Sequence, residues 1–148
     1  MIDPSVRAAV LERYAAYAHM LDDGLVDEWA GCFTVEGRLE TTRPLVVVGR
    51  RNLVELGRLW LAAQPGQTRH ASWHHQLSED GAMIRGRCSA ALLQTTEAGV
   101  SIVFTATYRD LFALEDDAWR IVERHVTMDQ PGVMPSLGGP APTLRVVD

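Results

Sequence analysis

The chain has 148 residues, 47% hydrophobic and 22% charged, with a formal net charge of −5. This is the length of one domain around one core, and the acidic balance excludes a nucleic-acid surface, which needs concentrated Lys and Arg. No apolar run approaches the ~20 residues that span a bilayer, and the opening MIDPSVRAAV lacks the basic-then-apolar order of a signal peptide. Cys32 and Cys88 form neither a CxxC motif nor a disulfide framework, so a reducing, cytoplasmic setting is expected.

Residues 3–24, DPSVRAAVLERYAAYAHMLDDG, read as a first helix. Asp3 is placed to cap it and Pro4 suits its first position. Val6, Val10, Tyr14, Tyr17 and Leu21 recur at helical spacing and so share a face, and Gly24 stops the helix. VDEWAGCF, residues 26–33, predicts a short second helix with Asp27 as cap. EGRLETT (36–42) and PLVVVGR (44–50) predict two strands. RNLVELGRLWLAA (51–63) predicts a third helix with Leu53, Leu56 and Trp60 on one stripe.

From residue 68 the apolar pattern changes to period two. TRHASWHHQLS (68–78), MIRGRCSAALLQTT (83–96), VSIVFTATYRDLFAL (100–114) and WRIVERHVTMD (119–129) predict four long strands joined by the turns EDGA, EAG and EDDA. Consecutive strands with short turns predict an antiparallel meander. Helices first and strands after them define an α+β class, a curved, mostly antiparallel sheet with about three helices on one face. A pocket between the two layers suits a small, mostly apolar ligand. Residues 1–129 are expected to form a single domain, and the Pro/Gly-rich segment 130–148 an arm or tail.

Two features carry candidate chemistry. Asp22 and Asp23 sit in the last turn of the first helix, where the helix dipole disfavours carboxylates. A broken local rule can mark a site, although a solvated polar helix end explains the same residues. The second feature is the cluster of His70, His74 and His75. In a strand His70, Ser72 and His74 share one face, and Trp73 and His75 the other. His70 and His74 would then lie roughly 13 Å apart, too far to grip one ion, so no metal site is expected. An inward His becomes chemically interesting when an acid from another element faces it. Asp22 is such an acid. Tyr108 and Asp110 share a strand face opposite Arg109, as pocket residues or as cross-strand pairs, and the faces of Arg124 and His125 stay open.

The segments YAAYAHMLDDGLVDEWAGCF, TRHASW, ATYRDLF and DDAWRIVERHVTMD, in this order and spacing, resemble the SnoaL-like branch of the NTF2-like superfamily, which includes polyketide cyclases, scytalone dehydratase and bile-acid dehydratases. The resemblance runs from about Val10 to Asp129. It implies a cone of curved sheet and three helices around a deep pocket, assembled as a homodimer or homotrimer through the open sheet face. It further implies that Asp22 and His70 form an acid–base pair and that Tyr17 orients a substrate oxygen or a water. Tyr108 matches a position that lines the pocket. Tyr14, Trp29, Ser72 and Gln94 complete the expected substrate-binding set. Gln94 stands where scytalone dehydratase carries a second catalytic His, and Thr41, beside Glu40, where ketosteroid isomerases carry a catalytic Asp. The implied activity is a cofactor-free dehydration, isomerisation or cyclisation of a small hydrophobic, cyclic carbonyl compound. The competing expectation is a non-catalytic ligand-binding or assembly module, such as the small subunit of aromatic-ring dioxygenases.

Overall fold

Helix α1 spans Pro4–Asp22 in the computed structural model, which describes residues 1–42 and 45–130. Asp3 accepts the backbone N–H of Ser5 at 2.8 Å and so caps the helix as its position predicts. Gly24, at φ +79°, follows the last turn in the left-handed conformation that ends helices most cheaply. The buried face is Val10, Tyr14, Tyr17 and Leu21. Helix α2 is shorter than the sequence suggests, Val26–Ala30. Its cap is Leu25, without a side-chain bond, and Asp27 lies inside the first turn, where its charge suits the dipole. Gly31 closes α2 early, so Phe33 opens strand β1 (Phe33–Thr41) instead of ending the helix.

β1 pairs antiparallel with β2 (Leu45–Val48), and α3 (Arg50–Ala62) follows. Pro44, the expected start of β2, lies outside the described residues, as does the expected C-terminal arm beyond Gln130. The meander then runs through β3 (Gln67–Asp80), β4 (Met83–Thr96), β5 (Gly99–Glu115) and β6 (Ala118–Met128). The six-stranded sheet has the order β2-β1-β6-β5-β4-β3. β6 meets β1 in parallel, the one parallel pairing among the described strands. A crossover of this kind needs a long connection between the partners, which the helix and meander supply.

Bulges bend the sheet toward the helices. Register shifts fall in β1 between Phe33 and Arg38, in β3 between Trp73 and Gln76, at Leu92/Leu93 and at Leu111/Phe112. The core between the layers joins Tyr14, Tyr17, Trp29, Phe33, Leu53, Phe112 and Ile121. No helix among the described residues is long and apolar enough to cross a membrane.

The β3 bulge corrects the face assignment made from alternation. His74 sits at φ +56°, left-handed for a non-glycine residue, and one extra residue separates Trp73 from Gln76 against β4. The parity of the strand therefore flips. His70, Ser72, His75 and Leu77 are the less exposed positions, while Trp73 and His74 point out.

Candidate active site

α1 and β3 meet where the helix ends. Asp22 Oδ1 lies 2.6 Å from His70 Nδ1, and the backbone N–H of His70 donates to Asp22 Oδ2 at 2.8 Å. Both carboxylate oxygens are thus held by one residue of the facing strand. The two side chains are only 4% and 10% exposed, Asp22 and His70 respectively. These charge-assisted bonds offset the unfavourable position of a carboxylate at a helix C-terminus. Gln67 Nε2 donates to the Asp22 carbonyl at 3.1 Å, which anchors the same turn. Asp23, by contrast, is exposed and faces Arg69 at 3.6 Å. A carboxylate only accepts, so Nδ1 is the donor in this contact, and the tautomer it selects places the lone pair of the neutral imidazole on Nε2.

Aromatic rings surround the imidazole. Tyr17 meets His70 edge-on at 6.3 Å between centroids, and Trp60 of α3 approaches it at 5.9 Å. Trp29 packs on Tyr17 at 5.7 Å. Trp60 is not among the expected binding residues. Its place on the apolar stripe of α3 marks it as core, and only the fold puts it beside His70. The indole N–H groups of Trp29 and Trp60 are buried without a hydrogen-bond partner among the described residues. Gln94, opposite Thr68 in the sheet, donates to Gln64 Oε1 at 3.2 Å and is itself buried.

The remaining expected residues gather deeper in the sheet. Tyr14 does not join His70. Its hydroxyl donates to Asp110 Oδ2 at 2.6 Å, and its ring lies 4.5 Å from that of His75. Ser72 Oγ is 3.0 Å from His75 Nε2. Asp110 and Arg124, paired across β5 and β6, form a fully buried two-pronged ion pair at 2.7 and 3.0 Å. So Asp110 is a cross-strand partner, Arg124 faces inward and His125 outward. The Arg124 guanidinium is ringed by Tyr17, Tyr108 and Tyr14 at 4.2, 4.5 and 5.3 Å from their centroids.

Burial sets the acidities here. It pushes the Tyr108 and Tyr14 hydroxyls well up, with Arg124 opposing in each case. Burial pushes the Cys88 thiol up to about 12 and raises that of Cys32, so neither is a ready nucleophile. Burial lowers the pKa of His75, and the charge of Arg124 lowers it further while Asp110 opposes. His75 is therefore a neutral imidazole near neutrality, fit to accept the Ser72 hydroxyl proton in a hydrogen bond.

A curved sheet closed by three helices is the architecture of NTF2-like proteins with a cystatin-like fold. One such protein, from Novosphingobium aromaticivorans, aligns over 90% of this chain and 88% of its own with a TM-score of 0.74 at 17% identity. The SnoaL-like domain family matches residues 5–125, and the chain belongs to that family. Rv3472 of Mycobacterium tuberculosis, a protein of unknown function, is similar over 88% of this chain and 83% of its own, with 26% identity and a TM-score of 0.81. The beta subunit of a putative aromatic-ring-hydroxylating dioxygenase from N. aromaticivorans shares the fold at 19% identity and a TM-score of 0.73, over 90% of this chain and 95% of its own. No curated protein is significantly similar in sequence.

Proposed function

We propose that this SnoaL-like domain is an acid–base enzyme, a dehydratase, isomerase or cyclase, that needs no cofactor and acts on a small hydrophobic cyclic carbonyl compound. The observation that carries the reading is the clamp of Asp22 by both the ring and the backbone of His70, almost out of solvent. His70 Nε2 removes a proton from a carbon next to the carbonyl. The C–H electron pair moves onto the carbonyl oxygen, giving an enolate, and the Tyr17 hydroxyl hydrogen-bonds that oxygen. Asp22 fixes the tautomer and stabilises the imidazolium. His70 then returns the proton to a leaving hydroxyl, which departs as water, or to another carbon. Trp29, Trp60 and Tyr108 supply apolar walls, and Ser72 and Gln94 supply polar contacts.

The test is turnover of a panel of enolisable cyclic ketones, followed by proton loss or chromophore change. His70→Ala and Asp22→Asn are each expected to lose about 10²–10⁴-fold in rate with the fold retained. Full activity in either variant refutes the pair.

A second reading, an assembly module, draws on the outer face of the sheet. A groove of about 600 Å³ lies there, lined by Arg85, Arg87, Arg109, Glu123 and His125. Basic residues on β4 and β5 beside an acidic one on β6 suit a second copy in two-fold apposition, each basic strip against the other's Glu123. On either reading the chain assembles as a homodimer or homotrimer, and light scattering of the purified protein decides between these and a monomer.

A further inference from the structure

Ser72 and His75 meet on β3, although three positions separate them and regular alternation would turn them to opposite faces. The extra residue at the bulge and the left-handed backbone of His74, φ +56°, bring them together. Ser72 Oγ stands 3.0 Å from His75 Nε2, within the reach of a nucleophile and its base. A non-glycine residue holds such a backbone at a cost, and strain of this kind clusters at functional sites. Both residues are partly exposed, whereas Cys32 and Cys88 are buried. Ala90 and Ala106 stand beside Ser72 in its row across the sheet, so no bulky neighbour there crowds the hydroxyl.

We propose that Ser72 is a nucleophile with His75 as its base, a second reactive pair that takes acyl groups from aryl esters and thioesters. The inference goes beyond the acid–base reading of Asp22 and His70 and does not depend on it. With the ring proton on Nδ1, Nε2 accepts the Ser72 O–H and takes its proton as Oγ attacks the acyl carbon. The Oγ–C bond forms and the carbonyl electron pair moves onto oxygen. When that pair returns, the bond to the leaving oxygen or sulfur breaks, and His75 hands its proton to the departing group. Water then attacks the acyl-serine with His75 as base again, which releases a carboxylic acid and restores Ser72. Burial and Arg124 keep His75 neutral near neutrality and so available as a base. The substrate class follows from what the ring lacks. Both oxygens of Asp110 are committed to Tyr14 and Arg124, and among the described residues no carboxylate hydrogen-bonds the His75 ring. A dyad without an acid behind it is a modest base, so the leaving group must depart readily, as a phenolate or a thiol does and an amine does not.

The experiment treats the full chain with two probes, p-nitrophenyl acetate for turnover and an alkyl fluorophosphonate for trapping. The fluorophosphonate phosphorus takes Oγ and loses fluoride, and the adduct stays on the protein for mass spectrometry and peptide mapping. The chain contains no lysine, so side-chain amines do not compete for either probe. Wild-type protein is expected to carry the label on Ser72 and to cleave the ester faster than free imidazole at the same histidine concentration. Ser72→Ala should abolish the label and bring cleavage down to the free-imidazole rate. His75→Gln should slow labelling of Ser72 by at least about tenfold. Three results each overturn the proposal: no label on Ser72, wild-type cleavage no faster than imidazole, or equal cleavage by Ser72→Ala. Unchanged labelling in a folded His75→Gln protein overturns it as well. Ser72→Ala removes a single oxygen from a partly exposed position, so it decides the matter even where His75→Gln fails to fold. Neither readout involves turnover of a ketone, so the Asp22–His70 pair stands or falls separately.

Discussion

Gly86→Ala probes the buried network through one methyl group. A Cβ at Gly86 would fall well inside contact distance of the Tyr14 hydroxyl oxygen, 3.0 Å from Phe112 Cε2 and 3.4 Å from Leu77 Cδ2. Tyr14 is only 4% exposed and its ring cannot swing away freely. To regain ordinary contact the hydroxyl must retreat by roughly 1 Å. Its bond to Asp110 is 2.6 Å now and would open to a separation at which no hydrogen bond survives. Losing a bond to a buried carboxylate costs about 1.5–3 kcal/mol. Overpacking adds about 1–3 kcal/mol, and replacing a strand glycine returns about 0.5–1 kcal/mol. The net cost is about 2–5 kcal/mol, or a fall in Tm of about 5–15 °C for a chain of this size. Calorimetry on wild type, Gly86→Ala, Tyr14→Phe and the double variant checks it. Tyr14→Phe removes the clashing oxygen, so the double variant should be at least about 1 kcal/mol more stable than additivity allows. A Gly86→Ala protein within about 0.5 kcal/mol of wild type, or strictly additive costs, would refute the reasoning.

Two further expectations come from the β3 bulge. His74→Gly should stabilise the protein by up to about 1 kcal/mol, the ~1–2 kcal/mol that a left-handed conformation costs a side-chain-bearing residue less the ~0.5–1 kcal/mol that a strand glycine costs in chain freedom. A lower Tm would show that the bulge does not hold residue 74 at positive φ. The second concerns His75, faced by Ser72, Tyr14, Asp110 and Arg124 and held below its ordinary pKa by burial and by Arg124. Its folded-state pKa is depressed, so in mildly acid solution the unfolded chain binds a proton that the folded chain refuses. The stability this represents is present above the unfolded pKa and is lost as pH falls through it. The fall in Tm between about pH 7.5 and 5.5 should therefore be smaller in His75→Gln than in wild type. Identical slopes would show that His75 titrates alike in both states.

Legibility in the sequence followed the range of the interactions. The buried face of α1, its Asp3 cap and its Gly24 stop are local, and the chain spells them out residue by residue. The long strands are legible because one of their faces is buried over many residues. The pairing of Asp22 with His70 was not visible in spacing, since the two stand 48 positions apart. It came from chemical type and from family resemblance. His75 was assigned to the wrong face because alternation assumes an unbroken strand, and a left-handed histidine leaves no signature such as Gly or Asn would. The face of Arg124 is not legible in the sequence for a related reason. A buried arginine is intelligible only once Asp110 and Tyr108 of the neighbouring strand and Tyr14 and Tyr17 of α1 are in place. The short helix predicted over VDEWAGCF overruns into Phe33, because Gly31 ends the turn first and Phe33 opens β1.

β3 has a single sheet neighbour, β4, among the described residues. A strand of 14 residues with one edge unpaired by another strand is a template on which another chain can add, although Asp22 already takes the His70 N–H on that edge. The extra residue at position 74 interrupts that template midway. A flat incoming strand that matched residues 67–73 would fall out of step at Gln76, and the exposed Arg69, Glu79 and Asp80 add charge along the rest. The kink that turns His75 inward therefore also limits fibre-like growth along this edge.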